Sequence, residues 1–303
     1  MLIESRSRES VMRLAFIPPM KPKLVDRPPL GDGWIHEIKL DGYRTQVIIN
    51  GPDDIRAYSR SGADWTKRYL GIVEAARELG VESAIIDGEA VVPGDDGRPD
   101  FHKMQRVIQK DPYAAILGAF DILHLDGHDL RDIGCKARRE MLYSIVKPGT
   151  RIQFSEALPG DAASIFYLID QAGIEGLVSK REHSVYRSGP TTNWLKTKSY
   201  MHTDLDLIGY EREPGKPAVA RFAEPGTGRY VGAAVIALGR EARERLWAKV
   251  KARAGGAPPN EVMRKRHPST EWVKPGLRAR VQHLRGEEFL RHGSVKELLE
   301  GDS

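Results

Sequence analysis

Between Trp34 and Gly62 three short runs, WIHEIKL, RTQVIIN and IRAYSRSG, are separated by Asp41-Gly42 and Asn50-Gly51. Strand-length runs joined by Asx-Gly pairs are a strong local signal for hairpins, so the stretch predicts an antiparallel meander. AIIDGEAVV (84–92), AAILGAFDILHLDG (114–127), GIEGLVSKR (173–181) and TTNWLKTKSY (191–200) are further runs of strand length. Helical spacing appears in TKRYLGIVEAARELG, which ends at Gly80 as a C-cap, in KARREMLYSIV and in AASIFYLIDQAG. FIPPMKPKLVDRPPL (16–30) is too rich in proline for a helix and reads as an extended arm crossing the surface. Strands and helices are mixed without a βαβ rhythm, which predicts an α+β fold with antiparallel sheets over residues 1–200.

After Tyr200 the pattern changes. DLDLIGYERE, AVARFAE and RYVGAAVIALG read as strands with a tight turn at Glu224-Pro225-Gly226, followed by the helix REARERLWAKVKARAGG and the strand WVKPGLRARVQHL. Several strands and one helix predict a small OB-fold barrel over residues 201–303, a frequent nucleic-acid binder. A length of 303 residues fits two domains.

Charge separates the same two parts. Residues 201–303 hold 19 Lys and Arg against 14 Asp and Glu, while residues 1–200 hold 28 of each. A basic smaller part beside a neutral larger one points to a polyanion held by the former, although a solvated basic face explains the charge equally well. Cys135 is the single cysteine, so an internal disulfide and a cysteine-rich zinc site are both excluded. The charged start MLIESRSRES lacks a signal peptide's apolar core, and no apolar run approaches the roughly 18 residues of a membrane span. The expectation is a soluble cytoplasmic protein.

The polar positions carry the chemistry. A lysine amine attacks phosphorus or a carbonyl only when neutral, and its ordinary pKa of about 10.4 leaves it protonated at pH 7. Lys39 therefore needs neighbouring cations that depress its pKa. Lys196 and Lys198 in NWLKTKS would share one face of a strand and could clamp a phosphate, though K-x-K is also the ordinary dress of a solvated edge strand. Arg44 and Arg60 offer planar donors for ribose or phosphate oxygens. Glu89 and Glu175, each beside a glycine, offer carboxylates for a divalent metal.

The order of these stretches narrows the reading. Lys39-Leu40-Asp41-Gly42-Tyr43-Arg44, SRSG at 59–62, DGE at 87–89, AFDIL at 119–123, EGLVSK at 175–180 and WLKTK at 194–198 resemble the motif series of ATP-dependent DNA ligases, within the covalent nucleotidyltransferases. FIPPMKPKLV and SRSGADWTKRY look closest to the ligase domain of bacterial end-joining ligases. The resemblance runs from Phe16 to Lys198 and is looser beyond.

The resemblance implies an adenylation domain over 1–200 and a DNA-binding OB-fold over 201–303. It implies that Lys39 attacks the α-phosphate of ATP, expels pyrophosphate and carries AMP. Glu37 would read the adenine and Phe120 would stack on it, where the pattern alone makes Phe120 core. Arg44 and Glu89 would contact ribose and phosphate, Arg60 the 5'-phosphate of a nick, and Lys196 and Lys198 the α-phosphate. Glu175 would hold Mg2+, or Mn2+. The implied partners are nicked or broken duplex DNA and an end-binding protein or separate polymerase that delivers a monomeric ligase to breaks in the nucleoid.

One departure stands out. The terminal stretch FLRHGSVKELLEGDS carries Leu299, flanked by Glu300 and Asp302, where the family has an arginine. Arg291 and Lys296 are the candidate substitutes, and slow self-adenylation is the expected consequence. An RNA ligase or related nucleotidyltransferase would use the same lysine chemistry, and a nick-binding module with decayed catalysis is the alternative of another class.

Overall fold

The computed structural model describes residues 13–285 and 289–299. The chain divides into two compact units, one comprising residues up to Ile169 with Gly176–Thr197, the other Asp170–Glu175 with residues from Lys198 onward. Among the described residues no helix is long and apolar enough to cross a membrane.

In chain order the first unit holds β1 (Met20–Val25), β2 (Trp34–Ile38), β3 (Tyr43–Asn50), β4 (Ile55–Ser59), α1 (Leu70–Arg77), β5 (Ser83–Val91), α2 (Phe101–Val107), β6 (Ile116–Leu125), β7 (His128–Asp129), α3 (Cys135–Ile145), β8 (Ile152–Phe154), α4 (Ala162–Gln171), β9 (Gly176–Arg181) and β10 (Gly189–Lys198), except that the last two residues of α4 and the last of β10 fall in the second unit. A larger sheet has the order β4-β3-β5-β6-β7, with β8 beside β6, and a smaller one the order β1-β10-β9-β2. The larger sheet is buried on both faces, which is why its strands read as nearly continuous apolar runs. Val47, Ile49, Ile86 and Ile122 share a core with α1 and with Leu142 of α3. Their strand neighbours Ile48, Ile85 and Leu123 pack instead with Met20, Tyr186 and Trp194.

One local expectation is corrected and another is made specific. The meander does not include WIHEIKL: β2 pairs with β9, while β3 pairs with β4 and β5. Only the Asn50-Gly51 turn is a hairpin, closed by Asn50 N–H to Asp54 O at 2.9 Å with Gly51 at φ 91°. Asp41-Gly42 instead lies where the chain crosses from one sheet to the other. Gly42 is there for proximity, since a Cβ would lie 2.1 Å from Ala90 O. The proline-rich arm is extended, as its composition predicts, and part of it joins a sheet. Its Met20–Val25 portion pairs in parallel with β10, with a register shift between Pro22 and Lys23, and Met20 is buried.

The second unit contains β11 (Tyr200–Glu211), β12 (Val219–Ala223), β13 (Tyr230–Ile236), α5 (Arg240–Ala252), α6 (Glu261–Arg266), β14 (Glu271–Trp272), β15 (Arg278–Leu284) and β16 (Gly293–Leu299). Pairings run from β11 through β12, β13, β16 and β15 back to β11, and β13–β16 is the one parallel pair among them. The Glu224 turn closes through Glu224 N–H to Arg229 O at 2.8 Å, with Gly226 at φ 79°. Phe222, Leu246, Val250, Val281 and Val295 form its core. Sequence patterning missed α6 and β16.

Candidate active site

A cleft of about 1010 Å³ opens in the first unit between its two sheets. The smaller sheet lines it with Glu37, Val178, Lys180, Trp194 and Lys196, and the larger with Arg44, Ser59, Glu89 and Phe120. Lys39, on the crossover after β2, and Arg60, just beyond β4, complete the wall. Seven of the nine residues singled out in the sequence thus meet in one cavity. The two others, Glu175 and Lys198, belong to the second unit, where Lys198 Nζ lies 3.6 Å from Glu175 Oε1.

Lys39 is fixed by its backbone, whose N–H donates to Gly176 O at 2.9 Å. β10, which carries Lys196, lies between β1 and β9, so the solvated-edge explanation for K-x-K does not apply. Arg44 donates from Nε and Nη2 to Asp87 Oδ1 and Oδ2 at 2.6 and 2.7 Å. Burial opposes the Arg44 charge, but Asp87 outweighs it and raises the pKa above the ordinary arginine value. Tyr186 donates to Asp87 Oδ2 at 2.7 Å and accepts from Met20 N–H at 2.9 Å, which ties β1 to the same hub. Burial and the Asp87 charge raise the Tyr186 pKa, keeping it a donor.

On the other side of the Phe120 backbone and ring contacts stands a buried carboxylate, Glu37. Glu37 Oε1 lies 2.6 Å from Lys180 Nζ and 2.9 Å from Arg139 Nη1, and all three residues are at most 4% exposed. Neither approach has hydrogen-bond alignment, so Oε1 is held by charge. Both cations also donate to Phe120 O, at 3.1 and 3.2 Å. Arg44 Cζ and Lys180 Nζ approach the Phe120 ring centroid at 4.5 and 4.4 Å, and Trp194 stands edge-on to that ring at 6.1 Å. The adjacent His36 pairs through Nδ1 with Ser179 Oγ at 2.9 Å, and burial lowers its pKa against the pull of Asp161. A fixed carboxylate, an aromatic ring and converging cations can together hold a flat heterocycle that carries a polyanion.

A sequence profile described as the ATP dependent DNA ligase domain matches residues 22–198, more than half of the chain. The chain belongs to the ATP-dependent DNA ligase family. This ligase-family chain is 30% identical over 309 residues to the multifunctional non-homologous end joining protein LigD of Pseudomonas aeruginosa, a match covering 94% of the chain but 35% of that protein. It is 33% identical over 183 residues to LigD of Mycobacterium bovis, covering 60% of the chain and 24% of that protein. The chain therefore spans about a third or less of the length of these two relatives. Among solved structures, a mycobacterial DNA ligase D complexed with ATP and MES matches with a TM-score of 0.58 at 28% identity, covering 93% of this chain and 94% of that one. The ligase domain of M. tuberculosis LigD matches with a TM-score of 0.54 at 29% identity and the same coverage.

Sequence reasoning missed several groups that line this ligase-family cleft or hold its lining in place. Lys180 and Asp87 lie inside motifs quoted for other residues, and Trp194 directly precedes the K-x-K pair. Arg139 sits in KARREMLYSIV, where a helix rich in charge reads as solvated. Nothing local marks its burial.

Proposed function

We propose that the chain is an ATP-dependent DNA ligase that joins a 3'-hydroxyl to a 5'-phosphate, with the first unit as adenylation domain and the second as a DNA-binding OB-fold. One observation carries the reading: Glu37, Lys39, Arg44, Arg60, Glu89, Phe120 and Lys196 line a single cleft. In the first step Lys39 Nζ, stripped of its proton, forms a bond to the α-phosphorus of ATP while the bond to pyrophosphate breaks. The adenylate then passes to the 5'-phosphate at the break, and attack by the 3'-hydroxyl releases AMP. Negative charge grows on the phosphoryl oxygens at each step, and preorganised cations lower that barrier most.

Roles follow from chemistry and position. Glu37 accepts from the adenine amino group, and Phe120 stacks on the base beside its two cations. Arg44 and Glu89 hold ribose and phosphate, and Arg60 takes the 5'-phosphate of the nick. Lys196 and Lys198 contact the α-phosphate. Glu175 would hold the metal. Among the described residues no three His, Cys, Asp or Glu side chains gather as a metal-binding group. A single carboxylate such as Glu175 would suit Mg2+ or Mn2+ arriving with the nucleotide, because Mg2+ keeps its waters and takes one or two carboxylates plus phosphates. When bound, the ion would neutralise phosphate charge.

The OB-fold reading of the second unit is supported by its closed circuit of five strands with α5 between the third and fourth. Leu299 lies at the end of β16 opposite Arg278, while Glu300 and Asp302 fall outside the described residues. Slower self-adenylation of the ligase is part of the proposal, resting on Leu299 standing where the family has an arginine. Its partners would be nicked or broken duplex DNA and an end-binding protein or polymerase, in the cytoplasm at the nucleoid.

Incubation with α-labelled ATP and Mg2+ tests the reading. A label on the protein that disappears in Lys39→Ala, with the melting transition retained, is the expected result. No label under any condition sinks the enzyme reading and favours a nick-binding module. A panel of ATP and GTP against DNA and RNA nicks separates DNA from RNA sealing.

A further inference from the structure

Burying two cations to hold one carboxylate is costly, because each charge leaves water and only one can be neutralised by Glu37. A core that needed only filling would carry apolar side chains at Lys180 and Arg139. Both residues instead converge on the same two groups, Glu37 Oε1 and Phe120 O, and Arg139 Nη2 is anchored further by Ser155 O at 2.6 Å. Lys180 Nζ also lies 4.4 and 4.5 Å from the Phe120 and Trp194 ring centroids. The pair thus fixes the cleft's buried acceptor and its aromatic wall at once.

Resting on the reading of this cleft as a nucleotide site, we infer that Lys180 and Arg139 are positioning residues that set base selection, favouring a 6-aminopurine over a 6-oxopurine nucleotide. A carboxylate locked in place accepts from an exocyclic amine. The same carboxylate faces the lone pairs of a 6-oxo group with repulsion it cannot relieve by turning away, and rejection of the wrong base requires that rigidity. Removing either cation frees Glu37 to rotate and loosens the backbone of Phe120. Discrimination then fails before chemistry does.

The test uses the full chain and compares labelling of Lys39 by α-labelled ATP and α-labelled GTP in the parent, Lys180→Met, Arg139→Leu and Arg139→Lys proteins. The expected result is a rise in KM for ATP of tenfold or more with a smaller change in kcat, and an ATP-to-GTP ratio of kcat/KM at least tenfold narrower, in Lys180→Met and Arg139→Leu. Arg139→Lys, which keeps a cation, retains most of the ratio. Variants that melt cooperatively and keep the parental ratio overturn the inference. Should the truncated variants fail to fold, the isosteric Glu37→Gln decides: an ATP-to-GTP ratio unchanged from the parent overturns it equally. Failure of the parent to label at Lys39 with either nucleotide is a different outcome and removes the ligase reading itself.

Discussion

Single residues with no chemistry of their own set the geometry of the cleft. Gly42 leaves no room for a side chain: a Cβ would lie 2.1 Å from Ala90 O and 2.8 Å from Val91 Cγ1, and the backbone oxygen cannot move aside without shifting β5. Gly42→Ala should therefore displace the crossover that carries Lys39. Because misplacement by an ångström costs on the order of 100-fold in rate, labelling should fall by about that much with the fold retained. Gly118→Ala is the control, since its Cβ would meet Leu40 Cδ1, the tip of a side chain that can rotate, and labelling should fall less. Arg138 and Asp121, both fully buried, form two hydrogen bonds of 2.8 Å. Asp121→Ala leaves the guanidinium buried without its counter-charge and should cost about 3–5 kcal/mol in urea unfolding. Cys135, whose thiol burial pushes up to about 12, should resist thiol reagents in the folded protein.

Among the elements, those defined by local patterns were the legible ones. β3, β4, β5 and β6 announce themselves through apolar runs and turn residues, and α1, α3 and α4 through helical spacing. β2 was legible as a strand but not in its partner, because Asp-Gly reports a change of direction and not the sheet the chain enters next. β1 was legible as extended chain but not as a sheet member, because its prolines suit an unpaired arm as well as a parallel edge strand. In the cleft, Lys39 and its companions could be found in order along the chain, whereas Arg139 acquires its meaning only from Glu37, 102 residues earlier. β1 is held to the larger sheet through Tyr186, so Tyr186→Phe leaves Met20 N–H without its acceptor. That substitution should cost about 1–3 kcal/mol, read as a lowered urea midpoint.

For the whole molecule, stability should fall as pH drops below neutrality. Burial lowers the pKa of His36, His124, His267 and His283 in the folded state, so the unfolded chain takes up protons first as pH passes below about 6.5. Thermal melting followed from pH 7.5 to 5.5 should show a falling midpoint. Under the proposed DNA role, affinity for a nicked duplex should decline steeply with salt. Replacing the exposed Lys265 and Arg266 of α6 by Gln should flatten the log–log salt slope by about one for each phosphate that is no longer neutralised.

The central position of β10 between β1 and β9 reaches beyond the cleft to how the chain is made. On a ribosome, every strand of the larger sheet but β8 has emerged once Asp129 is out, whereas β1 must wait for a partner synthesised more than 160 residues later. The nascent chain should therefore acquire protease resistance in two stages, and Met20–Val25 should remain cleavable until the second.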